Sequence, residues 1–358
     1  MDNLYIISSI AAKDIMDAVK NRFVIYQIVA VSIILLSIKG LSFIIAPPAT
    51  PLIIYDAGNT EFSNQIAESP DFNIHQARTP QELQQLLSNF GFGLGPEIGI
   101  EIPPGFDQQL QSDEQILVKG YVSWANRNKA PRIQSQMESE LQAFTGKSIQ
   151  IDLLGNLITP PGDIGLLTSI ITMFAVTVIL SVGTILVPSL LIEEKQNRTL
   201  EALLVSPASI GQVVAGKAVA GAFYVLVTTL IVFLFYWSGV YSWWVAILFV
   251  VGAVLFSSSL GLLFGVLFNN QQEMTGWLTL VMLFVTGSIF IELIDLDLPA
   301  FLDLLLPWLP PVALARLFWA SFSSEIDIPQ VLLTFSVVAI IAAIIFGFIA
   351  LRIKQSDR

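Results

Sequence analysis

Long apolar stretches alternate with shorter polar segments along the chain, a pattern typical of a protein that crosses a membrane several times. A helix needs about 20 apolar residues to cross a hydrocarbon core about 30 Å thick. Six stretches have that length: 23–46, 164–192, 213–240, 243–268, 274–293 and 330–351. The sequence therefore predicts an α-helical polytopic membrane protein with six transmembrane helices, one before a long polar segment and five in residues 164–351.

The long polar segment, residues 47–163, has the composition of a folded domain rather than of a loop. Four stretches are rich in β-branched and aromatic residues and predict strands: PLIIYDAG, FNIHQA, EIGIEIPPGF and QILVKGYVSW. Two amphipathic stretches, TPQELQQLLSNF and RIQSQMESELQAF, predict helices. Proline pairs border the segment on both sides. We expect an inserted α/β domain.

Lysine and arginine residues in the short segments predict the orientation of the chain. One side of the membrane would carry nine of them: Lys13, Lys20, Arg22, Lys195, Arg198, Lys217, Arg352, Lys354 and Arg358. The short segments on the other side contain Arg316 alone. Both termini, including the 352–358 tail, are therefore expected in the cytoplasm, and the α/β domain is expected outside the plasma (inner) membrane.

The first 22 residues have an amphipathic pattern. Leu4, Ile7, Ala11, Ile15 and Val19 fall near one face of a helix, and charged residues fall on another. We expect a cytoplasmic helix that lies along the membrane interface in contact with lipid. A helix packed against another part of the protein is the alternative.

Composition excludes several classes of site. The chain has no cysteine and one histidine, His75, so thiolate and histidine-cluster metal sites are excluded and no bound cofactor is expected. Its net charge is −11, most of it in residues 47–163, which argues against nucleic acid as a partner. Only 13% of the residues are charged, against about a quarter in soluble domains.

A polar segment follows the second predicted span and reads LIEEKQNRTLEALLVSPASIGQVVAGKAVAG. Leu200, Leu203 and Leu204 recur at helical spacing beside Glu201, which predicts a short amphipathic helix that ends near Pro207. Such a helix can dock in a groove of a partner protein or rest on lipid headgroups, and the spacing leaves both open.

This segment resembles the coupling-helix region of ABC-2-type permeases of ATP-binding-cassette transporters, whose usual form is close to E-x-E-x-G-T-L-E-x-L-L-x-[ST]-P. The matching residues are Glu193 or Glu194, Thr199, Leu200, Glu201, Leu203, Leu204, Ser206 and Pro207. Arg198 stands where many members have glycine. The resemblance implies that residues 193–210 couple this chain to a separate cytoplasmic ABC ATPase.

The resemblance extends over most of the chain. IIYDAGNTEFSNQI and GIEIPPGF resemble the subgroup with an enlarged first outer loop, and LPAFLDLLLPWLPPVALARLFWAS, within residues 295–328, resembles its re-entrant outer helices. The family implies two ATPase subunits and a second permease, either another copy or a related chain. ATP and magnesium would be bound by the ATPase. The sequence GQVVAGKA lacks the Ser or Thr that a phosphate-binding loop has after its lysine, so we expect no enzyme activity in this chain.

Two predicted spans carry polar or soft side chains at helical spacing. Thr177, Ser181 and Thr184 lie on the second span, and the fifth carries four more: Thr275, Thr279, Met282 and Thr286. Such groups line a cavity, bond a neighbouring helix, or bond their own backbone. In the resembled family the second and fifth spans line the translocation path at the dimer axis.

These observations lead to a functional hypothesis, a permease that exports a hydrophobic or amphipathic substrate such as a drug, lipid or peptide. One alternative is a non-transport protein that transmits force or a signal to its outer domain. Another is half of a proton-driven efflux pump, which requires charged residues buried mid-membrane. The centres of the predicted spans contain none.

The orientation is testable because the chain has no cysteine. We expect a cysteine introduced at Gln111 to react with an impermeant maleimide in intact cells, and one introduced at Gln196 to react only after the membrane is opened. Labelling is measured by mass shift on a gel. Reaction at Gln196 but not at Gln111 in intact cells would reverse the orientation.

Overall fold

The computed structural model describes residues 3–20, 26, 29, 33, 50–89, 96, 98–112, 116–153, 156–158, 166–196, 209–294, 299–323 and 326–356. The predicted first span, residues 23–46, lies outside these ranges apart from three helical positions, Tyr26, Val29 and Ile33. Most of the predicted coupling segment also lies outside them. Both stay predictions.

Residues 50–158 contain six strands: β1 Thr50–Asp56, β2 Phe72–Ala77, β3 Ile98–Ile102, β4 Ile116–Ser123, β5 Ile149–Asp152 and β6 Leu157–Ile158. They form one mixed sheet in the order β2-β1-β3-β4-β5, with β6 beside β4. Strand β1 runs parallel to both of its neighbours, whereas β3 and β4 are antiparallel. The sheet therefore begins as a parallel array and reverses direction once in its middle.

Four helices cover the sheet: α2 Glu61–Glu68, α3 Pro80–Asn89, α4 Phe106–Gln111 and α5 Ala130–Thr145. Successive strand residues point to opposite faces, so Leu52 and Ile54 pack in one core and Ile53 in another. The larger core contains Phe62 of α2, Phe106 of α4 and residues of α5. The smaller core is closed by α3. Apolar side chains thus fill both faces of the sheet.

The remaining helices are α1 Asn3–Lys20, α6 Leu166–Gln196, α7 Ile210–Phe235, α8 Trp243–Leu267, α9 Gln271–Ile294, α10 Ala300–Leu305, α11 Pro310–Ala320 and α12 Ile328–Ser356. Among the described residues, five helices are long and apolar enough to cross a membrane: Thr172–Gln196, Gly211–Phe235, Trp243–Leu267, Gln271–Glu292 and Ile328–Lys354. These five overlap the five stretches predicted after the polar segment.

The region predicted to be re-entrant contains a bent helix pair. Ala300–Trp308 and Pro310–Ala320 meet at 72° and have the length of one span only when taken together. Prolines at the first positions of α11 suit a helix start, where a backbone N–H has no partner within the helix. The bend therefore coincides with the Pro310–Pro311 pair that the sequence places there.

Helix α6 lies in the middle of the helical region and packs against α7, α8 and α9. Its neighbours approach closely where they carry glycine. A methyl group at Gly221 of α7 would collide with Val187, and one at Gly261 of α8 would lie 2.5 Å from the backbone oxygen of Gly183. A methyl group at Gly265 would meet Leu191 in the same way. The position of α6 therefore depends on the small volume of these glycines.

Helix α1 packs lengthwise along α7. Contacts advance in the same direction on both helices, from Asn3 with Gln212 to Ile15 with Tyr224. For residues 1–22 the sequence analysis expected a helix along the membrane interface, with packing against another part of the protein as the alternative. The structure shows packing of the second kind. The contact of α1 with the membrane interface stays a prediction.

Arg127 connects the sheet domain to the turn between α7 and α8. Its guanidinium donates hydrogen bonds to the backbone oxygens of Gly239 and Val240 and lies 5.1 Å from the centre of the Tyr241 ring. Burial lowers the pKa of this guanidinium. Exposed tryptophans surround the turn at positions 237, 243 and 244, and exposed tryptophan is typical of a membrane–water boundary.

The glycine contacts of α6 make a stability prediction. Gly261→Ala should lower the melting temperature of the detergent-solubilised protein, because the added methyl group meets backbone that cannot move aside; overpacking of this kind costs about 1–3 kcal/mol. Gly347→Ala on α12 is the matched control, since nothing lies within 4 Å of the added group. Equal melting temperatures for the two variants would contradict the packing argument.

Candidate functional site

The C-terminal end of α6 is fixed to the neighbouring helix α8 by Lys195. We call it the inner end because the predicted orientation places it on the cytoplasmic side. Its ammonium group donates to the backbone oxygens of Gly265 at 2.8 Å and Phe268 at 3.0 Å, and to the side chain of Asn269 at 3.1 Å. The last carbonyls of a helix have no partner within the helix and carry partial negative charge. A lysine from α6 therefore caps α8 and ties the two helix ends together.

Glu194 fixes the same end of α6 to α7. Its carboxylate lies 3.0 Å from the ammonium group of Lys217, which also lies 3.2 Å from Asp14 of α1. The neighbouring Glu193 is exposed. Glu193 and Glu194 are the predicted coupling residues that the structure describes; the others lie outside the described residues: Thr199, Leu200, Glu201, Leu203, Leu204 and Pro207.

Helix α7 begins directly after the predicted coupling segment. The Ser209 side chain accepts from the backbone of Gln212, and the Gln212 side chain accepts from the backbone of Ser209, a reciprocal pair that defines a helix start. Residues 197–208 therefore join two helix ends that the Glu194–Lys217 pair holds side by side.

The three hydroxyl residues predicted on the second span lie on α6 and are buried to different extents. Thr184 is fully buried and donates to the backbone oxygen of Leu180 at 2.7 Å. Ser181 is half-buried and donates to Val178 at 2.8 Å. The Thr177 hydroxyl is buried and has no hydrogen-bond partner among the residues that the structure describes. In one copy of the chain, therefore, the Thr184 side chain and the Thr177 hydroxyl are shielded from a substrate, and Ser181 is partly accessible.

The predicted stripe on α9 points mostly away from the bundle. Thr275 and Thr279 are exposed and donate to backbone oxygens of their own helix, whereas Met282 and Thr286 are half-buried. Helix α9 contacts α6, and Met274 and Leu278 are buried in a cluster that also contains Ile192 of α6. The structure brings α6 and α9 together but leaves Thr275 and Thr279 on the face of α9 that points away from the other helices.

A protein family described as ABC-2 family transporter protein matches residues 22–352, which is most of the chain. The chain belongs to the ABC-2 family. No curated protein and no solved structure matches it. Membership and the five candidate spans make this ABC-2 chain a multi-pass membrane protein of the permease type. The match confirms the family that the sequence analysis inferred. Membership of this family implies an ABC ATPase as a partner.

Sequence reasoning on the ABC-2 chain missed the pairing of Lys217. That residue was counted as a cytoplasmic charge that contributes to the orientation, yet its side chain is 1% exposed and contacts two carboxylates. One signal was available. A lysine between Gly216 and Ala218, inside a helix that is otherwise apolar, requires a partner.

A second pair lies near the opposite end of the bundle. Arg316 of α11 donates from Nε at 2.6 Å and from Nη2 at 2.5 Å to one oxygen of Glu292 in α9. The sequence analysis placed Arg316 in an outer segment but gave no reason to pair it with Glu292. The pair ties the bent helix pair to the end of the fifth predicted span.

Proposed function

We propose that this ABC-2 chain is the permease subunit of an ATP-driven exporter, with the ATPase on a separate polypeptide that binds residues 193–210. The observation that carries the proposal is the attachment of the inner end of α6. Glu194 and Lys195, which lie at the start of the predicted coupling segment, connect that end to α7 and α8. A displacement of the segment would therefore move α6 and the helices attached to it.

The position of α6 supports its role in transmitting motion. It contacts α7, α8, α9 and α11, and most of its apolar side chains are buried. Close-packed helices shift as units because their interiors are nearly incompressible. A movement that enters α6 at its inner end therefore changes the packing of the whole region rather than of one helix.

A second copy of the chain, or a related permease, would cover the outward face of α9. Thr275, Gly276 and Thr279 are exposed there, and a side chain added at Gly276 or Gly287 would meet nothing within 4 Å. Small and hydroxyl residues favour close helix association in membranes. The path would run between the two copies, past Thr279 and the half-buried Ser181.

The surroundings of these threonines support a hydrophobic or amphipathic cargo. Leu280, Leu283 and Phe284 are exposed beside Thr279 on α9. A surface that combines apolar side chains with a few hydroxyls suits molecules that have both kinds of group. We place the protein in the plasma (inner) membrane, with both termini in the cytoplasm and the sheet domain outside, because the basic residues of the short segments cluster on one side.

Transmission of force to the sheet domain is a second candidate function, and the Arg127 contacts favour it. Arg127 attaches that domain to the turn between α7 and α8, so motion of these helices would reach it. Substrate flux in vesicles separates the two functions. Flux that depends on ATP supports export, and its absence in an intact complex supports force transmission.

Coupling is tested at the apolar face of the predicted helix. Leu203→Asp or Leu204→Asp should abolish substrate-stimulated ATP hydrolysis by the assembled complex, because an unpaired charge in an apolar groove costs several kcal/mol. Gln272→Asp, in the exposed first turn of α9, adds the same charge as a control and should leave stimulation intact. Normal stimulation in both leucine variants would exclude docking at this segment.

The path is tested by adding bulk. Ser181→Trp and Thr279→Trp should reduce transport in vesicles, because the indole would obstruct a passage between copies. Ser181→Trp, which lies on α6 and not on the covered face of α9, should do so with normal expression and dimer assembly. Thr279→Val, which keeps the size but removes the hydroxyl, should have a milder effect that depends on the substrate. Ile247→Trp is the control, since Ile247 is 60% exposed on α8. If all three tryptophan variants transport equally, the path runs elsewhere.

A further inference from the structure

Three charged side chains meet at the inner end of the bundle. Lys217 Nζ lies 3.2 Å from Asp14 Oδ2 and 3.0 Å from Glu194 Oε1. The side chain of Lys217 is 1% exposed, that of Asp14 6% and that of Glu194 13%. We call these three residues the inner ion cluster. Charged groups so far from water are stable only when they are paired.

The inner ion cluster joins α1 to two consecutive helices that lie far from it in sequence. Asp14 comes from α1, Lys217 from α7, and Glu194 from the end of α6 just before the 197–208 segment. Lys217 is the member that contacts both carboxylates. Without it, α1 and α6 would present two like charges to each other in a poorly solvated place.

Neighbouring contacts align α1 on α7 without involving α6. The Gln212 side chain donates to Asn3 at 2.9 Å, and the Tyr224 hydroxyl donates to the backbone oxygen of Ile15 at 2.5 Å. Ile10 packs where a larger residue at position 216 would collide with it. These contacts hold α1 beside α7, whereas the inner ion cluster adds the attachment to α6.

We propose that Lys217 is a positioning residue that holds α1 and the inner end of α6 together, so that the N-terminal helix moves with the coupling segment. Asp14 provides the attachment of α1, and Glu194 provides the attachment of α6. The proposal rests on the proposed function in one step, the action of an ATPase on residues 193–210. The contact between α1 and α7 is independent of that step.

The two carboxylates make separable predictions. Asp14→Asn weakens the bond to α1 but leaves Lys217 paired with Glu194, so the bundle should stay folded while α1 loosens. Glu194→Gln leaves Asp14 paired with Lys217, so α1 should stay in place while the ionic contact between α6 and Lys217 is weakened. Asp17→Asn removes the same charge from an exposed position of α1 and is the matched control.

Cross-linking of the full chain in membranes measures the attachment of α1. Cysteines replacing Asn3 and Gln212 form a unique pair, since the chain has no other cysteine, and a short bifunctional thiol reagent joins them. Asp14→Asn should slow this reaction about tenfold, because removing one partner of a buried ion pair is strongly destabilising. Glu194→Gln and Asp17→Asn should leave the rate unchanged. An unchanged rate in Asp14→Asn would overturn the proposal.

Lysine variants provide a second measurement. Lys217→Met should slow the cross-linking as Asp14→Asn does, and Lys217→Arg should restore it, because arginine keeps the charge that both carboxylates need. If Lys217 only filled space by packing, cross-linking should instead be faster in Lys217→Met than in Lys217→Arg. Should Lys217→Met fail to reach the membrane, the Asp14→Asn comparison decides by itself.

Hydrolysis by the complex tests whether the attachment transmits motion. Asp14→Asn and Glu194→Gln should each lower the maximal rate of substrate-stimulated ATP hydrolysis while the KM for ATP stays unchanged. Normal stimulation in both variants would overturn the transmission by the cluster. A wild-type complex without any stimulation, combined with the expected cross-linking rates, would instead contradict the proposed export function and leave the attachment of α1 supported.

Discussion

The helical region depends on the close approach of α6 to its neighbours. Val187 fits beside Gly221 of α7 and Gly261 of α8, and Leu191 fits beside Gly265. Lipid chains are as apolar as these side chains, so burial alone does not drive spans together, and contact between closely fitting surfaces has to supply the attraction. The glycines provide that fit on two sides of α6, where α7 and α8 pack against it.

The same close packing determines how the inner charges are satisfied. Two lysines lie near the end of α6, of which Lys217 is buried and Lys195 is half-buried. Lys195 reaches the unpaired carbonyls of α8, whereas Lys217 contacts two carboxylates from other helices. Both solutions follow from the requirement that a buried charge has partners. They also fix the helix ends on either side of the predicted coupling segment.

Sequence periodicity predicted the apolar helices well because length and apolarity are local properties. The stretch predicted at 243–268 is the helix Trp243–Leu267, and the one predicted at 164–192 contains most of the span Thr172–Gln196. The environment of a single side chain is not local. Thr184 and Thr279 have the same spacing signal, yet one is buried and the other exposed. The partner of Lys217 on α1 lies 203 residues away, beyond the reach of any spacing rule.

Among the described residues, the polar contacts between helices involve α6 at the inner end of the bundle, whereas those at the opposite end involve other helices. Those described at the inner end connect α6 to α7 through Glu194 and to α8 through Lys195. At the opposite end, the polar contacts described connect the helices around α6 to one another. The backbone N–H groups of Tyr241 and Ser242 donate to the backbone oxygen of Ser321 after α11, and Glu292 of α9 pairs with Arg316 of α11. In the proposed exporter, motion that enters at the inner end would pass through α6. At the other end it would be shared among α9, α11 and the turn that contacts the sheet domain.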